Sequence, residues 1–190
     1  MRTKNPHPTV EYLHECFDLQ HDTGKLIWKK RPLSHFLNQH GMRIHHAKFA
    51  GKEAGSIFIG GRGFSPRLTV ALAGYGKILC HRIVWLLSGK EIPDGMQVDH
   101  KDLNALNNHI DNLRLATNQM NNANSARKSY LGKERHLPKG VYPNGPGKWQ
   151  AKIKVNYKTY CLGTYDSPEK ASEAYFEAAK RFFGEFARKD

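Results

Sequence analysis

Met96-Gln97-Val98-Asp99-His100 is followed by a loop rich in asparagine, then by Asn112-Leu113-Arg114-Leu115, and then by Thr117 and Asn121. The pattern reads as strand, loop, strand, helix. Thr117 is a suitable helix N-cap, which sets Asn121 roughly one turn inside the helix and able to point back at the end of the first strand. Asn118, Asn121, Asn122 and Asn124 are poor helix formers, so this helix is expected to be short.

These residue types suit hydrolysis of a phosphodiester. That reaction needs a base for the attacking water and a cation to offset charge on the phosphate and the departing oxygen. Asp99 is a hard oxygen ligand suited to Mg²⁺ or Mn²⁺, and the Asn121 side-chain carbonyl is a second. His100 carries an imidazole, a group that titrates near neutrality and can accept a proton from water. Two protein ligands leave coordination positions for water and substrate phosphate.

The ordered set Asp99-His100, Asn112, Asn121 resembles the HNH endonucleases, in particular the phage homing-type branch whose last motif residue is Asn. The resemblance implies that Asp99 and Asn121 bind the metal, that His100 is the general base, and that Asn112 holds the loop that orients His100. It extends upstream through His81-Arg82-Ile83-Val84-Trp85 and Gly74-Tyr75, covering most of residues 65–125. One position departs from it. Such proteins often carry Gly after the acidic residue of the loop, and here Asp102 is followed by Leu103.

Outward from this motif, residues 68–72 and 77–80 flank Ala73-Gly74-Tyr75-Gly76, which reads as a hairpin. A short helix over residues 81–87 stops at Ser88-Gly89 and is expected to pack Ile83, Val84, Trp85 and Leu87 into the core. His81 at its start is expected to make a structural hydrogen bond. Near the N-terminus Val10, Leu13 and Phe17 have helical spacing behind a Thr9 cap, and Asp22-Thr23-Gly24 turns the chain into the strand-like Leu26-Ile27-Trp28. Between residues 33 and 63 the periodicity loosens. His35, His40, His45 and His46 fit no compact ligand spacing and read as surface residues or phosphate contacts. Cys16, Cys80 and Cys161 form no C-x-x-C pair and read as free thiols.

Trp149-Gln150-Ala151-Lys152-Ile153-Lys154-Val155 alternates strictly, with Trp149, Ala151, Ile153 and Val155 on a core face and Gln150, Lys152 and Lys154 on a polar, cationic one. A second strand over residues 159–164 turns Tyr160 and Leu162 inward. Tyr157 is an unusual residue for a tight turn, so a wider one is expected between these strands. Ser167-Pro168-Glu169 opens a helix whose apolar stripe includes Ala171, Ala174, Tyr175, Ala178, Phe182 and Phe186, with Gly184 interrupting or ending it. Lys139-Gly140-Val141-Tyr142, Gly147-Lys148-Trp149, the run from Tyr160 to Tyr165 and Ala174-Tyr175 resemble the ethylene-response-factor (Apetala-two) DNA-binding domain. That family's three-stranded sheet lies in the major groove with a helix behind it. The resemblance therefore implies that Lys139, Tyr142, Asn144, Lys148, Lys152, Lys154 and Thr164 face DNA. Tyr142, Asn144 and Cys161 stand where the plant proteins carry Arg or Trp, so the plant target sequence does not transfer.

The fold expected is α+β. A β-rich N-terminal region of residues 1–64 precedes a ββα-metal nuclease unit of residues 65–125. A basic linker of residues 126–138 follows, in which Arg127 and Lys128 track a phosphate backbone, and then a three-stranded antiparallel sheet packed on one helix, residues 139–190. The 190 residues carry 30 Lys and Arg against 17 Asp and Glu, a formal charge of +13 that favours a polyanionic partner. Double-stranded DNA is the partner expected. No apolar run reaches the roughly 18 residues that span a bilayer, and the N-terminus is not signal-like, so a cytoplasmic protein is expected, in the host cell if phage-encoded. No obligate protein partner is evident, and one active site per chain favours nicking by a monomer or weak dimer. The alternative is a sequence-specific DNA-binding regulator whose nuclease fold is silent.

Overall fold

The computed structural model describes residues 7–60, 65–125 and 137–188. It is a mixed α+β chain in two compact units, one of Met1–Asp94 with Val98–Leu115 and one of Gly95–Gln97 with Ala116–Asp190. No helix among the described residues is long and apolar enough to cross a membrane.

The first unit opens with α1 (Val10–Cys16), where the Thr9 side chain accepts from the Tyr12 amide at 3.2 Å, the cap expected from the sequence. β1 (Phe17–Gln20) and β2 (Lys25–Trp28) form an antiparallel hairpin. Then comes α2 (Gln39–Phe49), which sequence periodicity did not reveal. The physical reason is that this helix buries none of its residues, so it has no apolar stripe to betray it. β3 (Ser56–Phe58), β4 (Arg67–Leu72) and β5 (Gly76–Leu79) make an antiparallel sheet in that order, with the expected hairpin between the last two and a further strand ahead of it. α3 (Cys80–Leu87) buries Ile83, Val84, Trp85 and Leu87 as expected, and Cys80 and His81 besides.

Leu13, Phe17, Leu26 and Trp28 pack with Val70, Ile83, Val84, Val98 and Leu113 in one core. Residues 1–64 and 65–125, drawn apart on sequence, therefore share an interior. Each alone would leave an apolar face in water.

Three of the four clustered histidines are half-buried against neighbouring side chains. The Arg31 guanidinium is buried, with its carbon 5.0 Å from the Trp28 ring centroid and 4.6 Å from that of Phe36. The His45 ring meets Trp28, Phe36 and Phe49, and burial, followed by the charge of Arg31, drives its pKa down to about 4. His46 Nε2 lies 3.0 Å from the Arg31 amide and 3.1 Å from its carbonyl oxygen. His35 stacks on Tyr12 and reaches Glu15 at 2.6 Å, whereas His40 is exposed. Among the described residues no group of three or more His, Cys, Asp or Glu is placed to hold a metal ion. All three cysteines are free, Cys161 alone being exposed.

β6 (Met96–His100) pairs with β7 (Leu113–Thr117), and Thr117 caps α4 (Asn118–Asn124), accepting from the Met120 amide at 3.2 Å. The second unit holds α4 together with β8 (Val141–Pro143), β9 (Trp149–Val155) and β10 (Lys158–Tyr165), antiparallel in the order β10-β9-β8, and α5 (Pro168–Phe183). Ser167 caps α5 and Gly184, at φ 54, ends it. α4 belongs to this unit's interior, because Ala116 and Ala123 are buried with Ile153, Tyr175, Ala179 and Phe183. Ala151 and Ile153 are buried as expected, but Tyr160 is 45% exposed, stacked near Phe182 on an edge strand. The β9–β10 connection is also tighter than expected: Val155 pairs with Lys158, leaving Asn156 at φ 47 and Tyr157 at φ 64 as a two-residue turn.

Candidate active site

Asp99 and His100 close β6 and are both buried. Arg114 on β7 donates to Asp99 Oδ2 from Nε at 3.3 Å and from Nη2 at 3.4 Å. A carboxylate held out of water needs such compensation, and the ion pair also sets its orientation. The sequence reading overlooked Arg114, although residues at neighbouring positions of paired strands could have raised it.

His100 Nε2 lies 3.0 Å from the side-chain oxygen of Asn108, and both residues are buried. A carboxamide oxygen facing Nε2 favours the tautomer protonated there, the one in which Nδ1 is the acceptor nitrogen. Asn108 was not singled out from the sequence; an asparagine beside Asn107 carried no signal of its own.

Asn112, expected to hold the loop that orients His100, sits in the 3-10 turn Ile110–Asn112 and makes three loop contacts. Its Nδ2 donates to Asp102 Oδ1 at 2.9 Å and to the Asn107 carbonyl at 2.8 Å, while its Oδ1 accepts from the Asp102 amide at 3.1 Å. Asp102 is the hub of this loop. It also accepts from the Asn104 amide at 2.8 Å and from Asn107 Nδ2 at 2.7 Å. Burial opposes its ionisation, but these hydrogen bonds prevail and hold the carboxyl below its usual pKa. Leu103 takes φ 64, the left-handed backbone for which glycine is the ordinary choice, so the glycine is missing and its conformation is kept.

The loop is braced from the N-terminal hairpin. Gly24 has φ 69, and a Cβ there would stand 2.3 Å from the Asn108 carbonyl oxygen. Only a residue without a side chain lets the turn lie against the backbone of the residue that holds His100.

Among the described residues the His81 side chain makes no hydrogen bond, the role expected of it; its ring meets His100 edge-on, with centroids 4.8 Å apart at 88°. Burial first, then the charges of His100, Arg67 and Arg82, lower its pKa to about 3, so this imidazole is neutral. Asn121 lies on α4, where its Nδ2 donates to Gln97 Oε1 at 3.0 Å, a contact that directs the amide nitrogen and leaves the oxygen on the other side of the carboxamide.

Among the residues expected to face DNA, Tyr142 is on β8, Lys152 and Lys154 on β9 and Thr164 on β10. Asn144 donates to Thr164 Oγ1 at 3.2 Å, and Lys148 is exposed. Lys139 is committed elsewhere: its ammonium donates to the carbonyls of Asn122, Ala123 and Ser125 at 2.7, 2.7 and 3.0 Å, capping the C-terminus of α4. Arg127 and Lys128 lie outside the described residues.

Residues 79–123 match the HNH endonuclease family. The matched segment runs from the start of α3 into α4 and contains His81, Asp99, His100, Asn108, Asn112 and Asn121. The chain is also 36% identical over 114 residues to an uncharacterized HNH endonuclease of Acanthamoeba polyphaga mimivirus, covering 59% of this chain and 57% of the relative. It thus spans little more than half of that relative's length. No solved structure matches significantly.

Proposed function

We propose that this protein is a metal-dependent DNA endonuclease of the HNH type, a phage-style homing enzyme that nicks at a site selected through its C-terminal unit. The observation that carries this reading is the 3.0 Å contact between His100 Nε2 and the Asn108 side-chain oxygen, which orients the imidazole inside the segment that matches the family.

The donor chemistry of the motif fits a hard divalent cation. Asp99 offers a carboxylate and Asn121 a carboxamide oxygen, a set that suits Mg²⁺ or Mn²⁺ completed by water and substrate phosphate. When bound, such an ion neutralises charge on the phosphate and the departing oxygen. His100 takes the proton of the attacking water at Nδ1. Asn108 holds the imidazole's other nitrogen, Asn112 and Asp102 keep the loop closed, and Arg114 fixes the rotamer of Asp99. The C-terminal sheet presents Lys152 and Lys154 towards DNA, and an excess of 13 positive charges draws the duplex in. The ethylene-response-factor likeness supports duplex binding by this unit.

Supercoiled plasmid and phage genomic DNA incubated with Mg²⁺, Mn²⁺ or EDTA test the reading. Discrete nicked products requiring the metal are expected. His100→Ala should abolish them while leaving DNA affinity within a few-fold of the parent, because a general base acts on the chemical step and not on ground-state binding. Binding without cleavage under every metal condition would instead make the chain a DNA-binding regulator.

A further inference from the structure

In the second unit a pocket of about 360 Å³ opens between α4 and β9, near the lower end of the ~300–1,000 Å³ typical of small-molecule sites. Its floor is apolar, made by Ile153 and Phe183, and the amide side chains of Asn118, Gln119 and Asn122 line the α4 side. Tyr142 and Tyr157 stand at it with the lysines of β9. The Lys152 ammonium lies 5.7 Å from the Tyr142 centroid and that of Lys154 5.9 Å from the Tyr157 centroid.

Tyr157 is the anomaly that gives this pocket meaning. It occupies the second position of the β9–β10 turn at φ 64, a conformation that disfavours a bulky side chain and favours glycine, yet its ring is 92% exposed and contributes nothing to the core. Beyond its contact with the Lys154 ammonium, an aromatic ring held in water at a backbone position that resists it adds nothing to the core. Strain of this kind gathers at ligand contacts. Exposed rings, amide groups that can pair with a base edge, an apolar floor and adjacent ammonium groups are together what a nucleotide requires: a face to stack on, partners for its edge and cations for its phosphate.

We propose that this pocket receives one unpaired DNA nucleotide, extruded from the duplex on which the C-terminal unit sits, with its base stacked on Tyr157 and its phosphate beside Lys154. The base's edge faces the amides of Asn118 and Asn122. This proposal rests on the reading of the C-terminal unit as DNA-binding and adds the form of DNA it selects. An intact duplex keeps every base inside the stack and cannot fill the pocket, so a duplex with a single bulged nucleotide binds more tightly than its fully paired counterpart.

The test uses the full-length chain carrying His100→Ala, in EDTA so that nothing is cut. The probes are a short duplex with one bulged 2-aminopurine and the same duplex fully paired. The bulged duplex is expected to bind about tenfold tighter, with quenching of 2-aminopurine fluorescence as the base stacks on tyrosine. Tyr157→Gly suits the turn better than the native residue, so the fold is retained. It should reduce the preference by about fivefold or more and relieve the quenching, leaving affinity for the paired duplex unchanged. Lys154→Gln should weaken the bulged complex and flatten its salt dependence. Equal affinity for the two duplexes with unquenched fluorescence would overturn the pocket while leaving the unit a DNA binder. A preference that survives Tyr157→Gly would overturn the assignment of the site, and no binding to either duplex would remove both readings.

Discussion

Replacing Gly24 with alanine probes the brace between the N-terminal hairpin and the loop that holds His100. Two costs add. The left-handed backbone, φ 69, penalises any Cβ by about 1 kcal/mol. The new carbon would also stand 2.3 Å from the Asn108 carbonyl oxygen and 2.4 Å from its carbonyl carbon, so backbone must move, an overpacking cost of roughly 1–3 kcal/mol. Gly24→Ala should therefore lose about 2–4 kcal/mol of stability. Gly74→Ala is the matched control: φ 79, with nothing within 4 Å of its added Cβ, so it bears only the first cost, about 1 kcal/mol. Urea denaturation of both variants isolates the clash as their difference. Activity should follow the clash. Moving the Asn108 backbone disturbs its 3.0 Å contact with His100, and single-turnover cleavage by Gly24→Ala should fall by roughly tenfold or more while Gly74→Ala cleaves normally. Equal stability losses in the two variants, or a destabilised Gly24→Ala with an undiminished single-turnover rate, would refute the reasoning.

Stability should also fall on acidification. The folded pKa of His81, about 3, lies below its ordinary 6.5, so between those values the unfolded chain binds the extra proton and stability rises with pH. Lowering the pH from 7.5 to 5 should cost about 2 kcal/mol through His81 alone, with His45 acting in the same direction; a flat urea midpoint across that window would contradict the burial of both rings. Truncation after residue 138 should abolish cleavage and not merely relax specificity. α4 would lose Ile153, Tyr175, Ala179 and Phe183, the partners that bury its Ala123 and the preceding Ala116, and a truncated chain that still nicks plasmid at the parental rate would show that α4 stands without them.

What the sequence determined by itself were features written in local chemistry. The caps at Thr9, Thr117 and Ser167 were legible because a hydroxyl before a helical run has one obvious task, and each accepts the amide hydrogen bond expected of it. The alternation in β9 was legible because a strand's side chains have a period of two, and the order of Asp99, His100, Asn112 and Asn121 because motif spacing survives in one dimension. Tertiary structure decided everything that depends on residues distant in the chain. α2 was hidden because it buries no stripe, and His45 and His46 acquire their partners only when the Arg31, Trp28 and Phe36 segment is brought against α2. Asn108 gains its contact with His100 only by the approach of two side chains in space, and Gly24 its steric constraint by the approach of a hairpin to Asn108. Lys139, a cation that sequence alone assigns to DNA, is drawn to the carbonyls that α4 leaves unpaired at its C-terminus. A charge's partner is set by distance in space, and residue order does not encode that distance until the chain has folded.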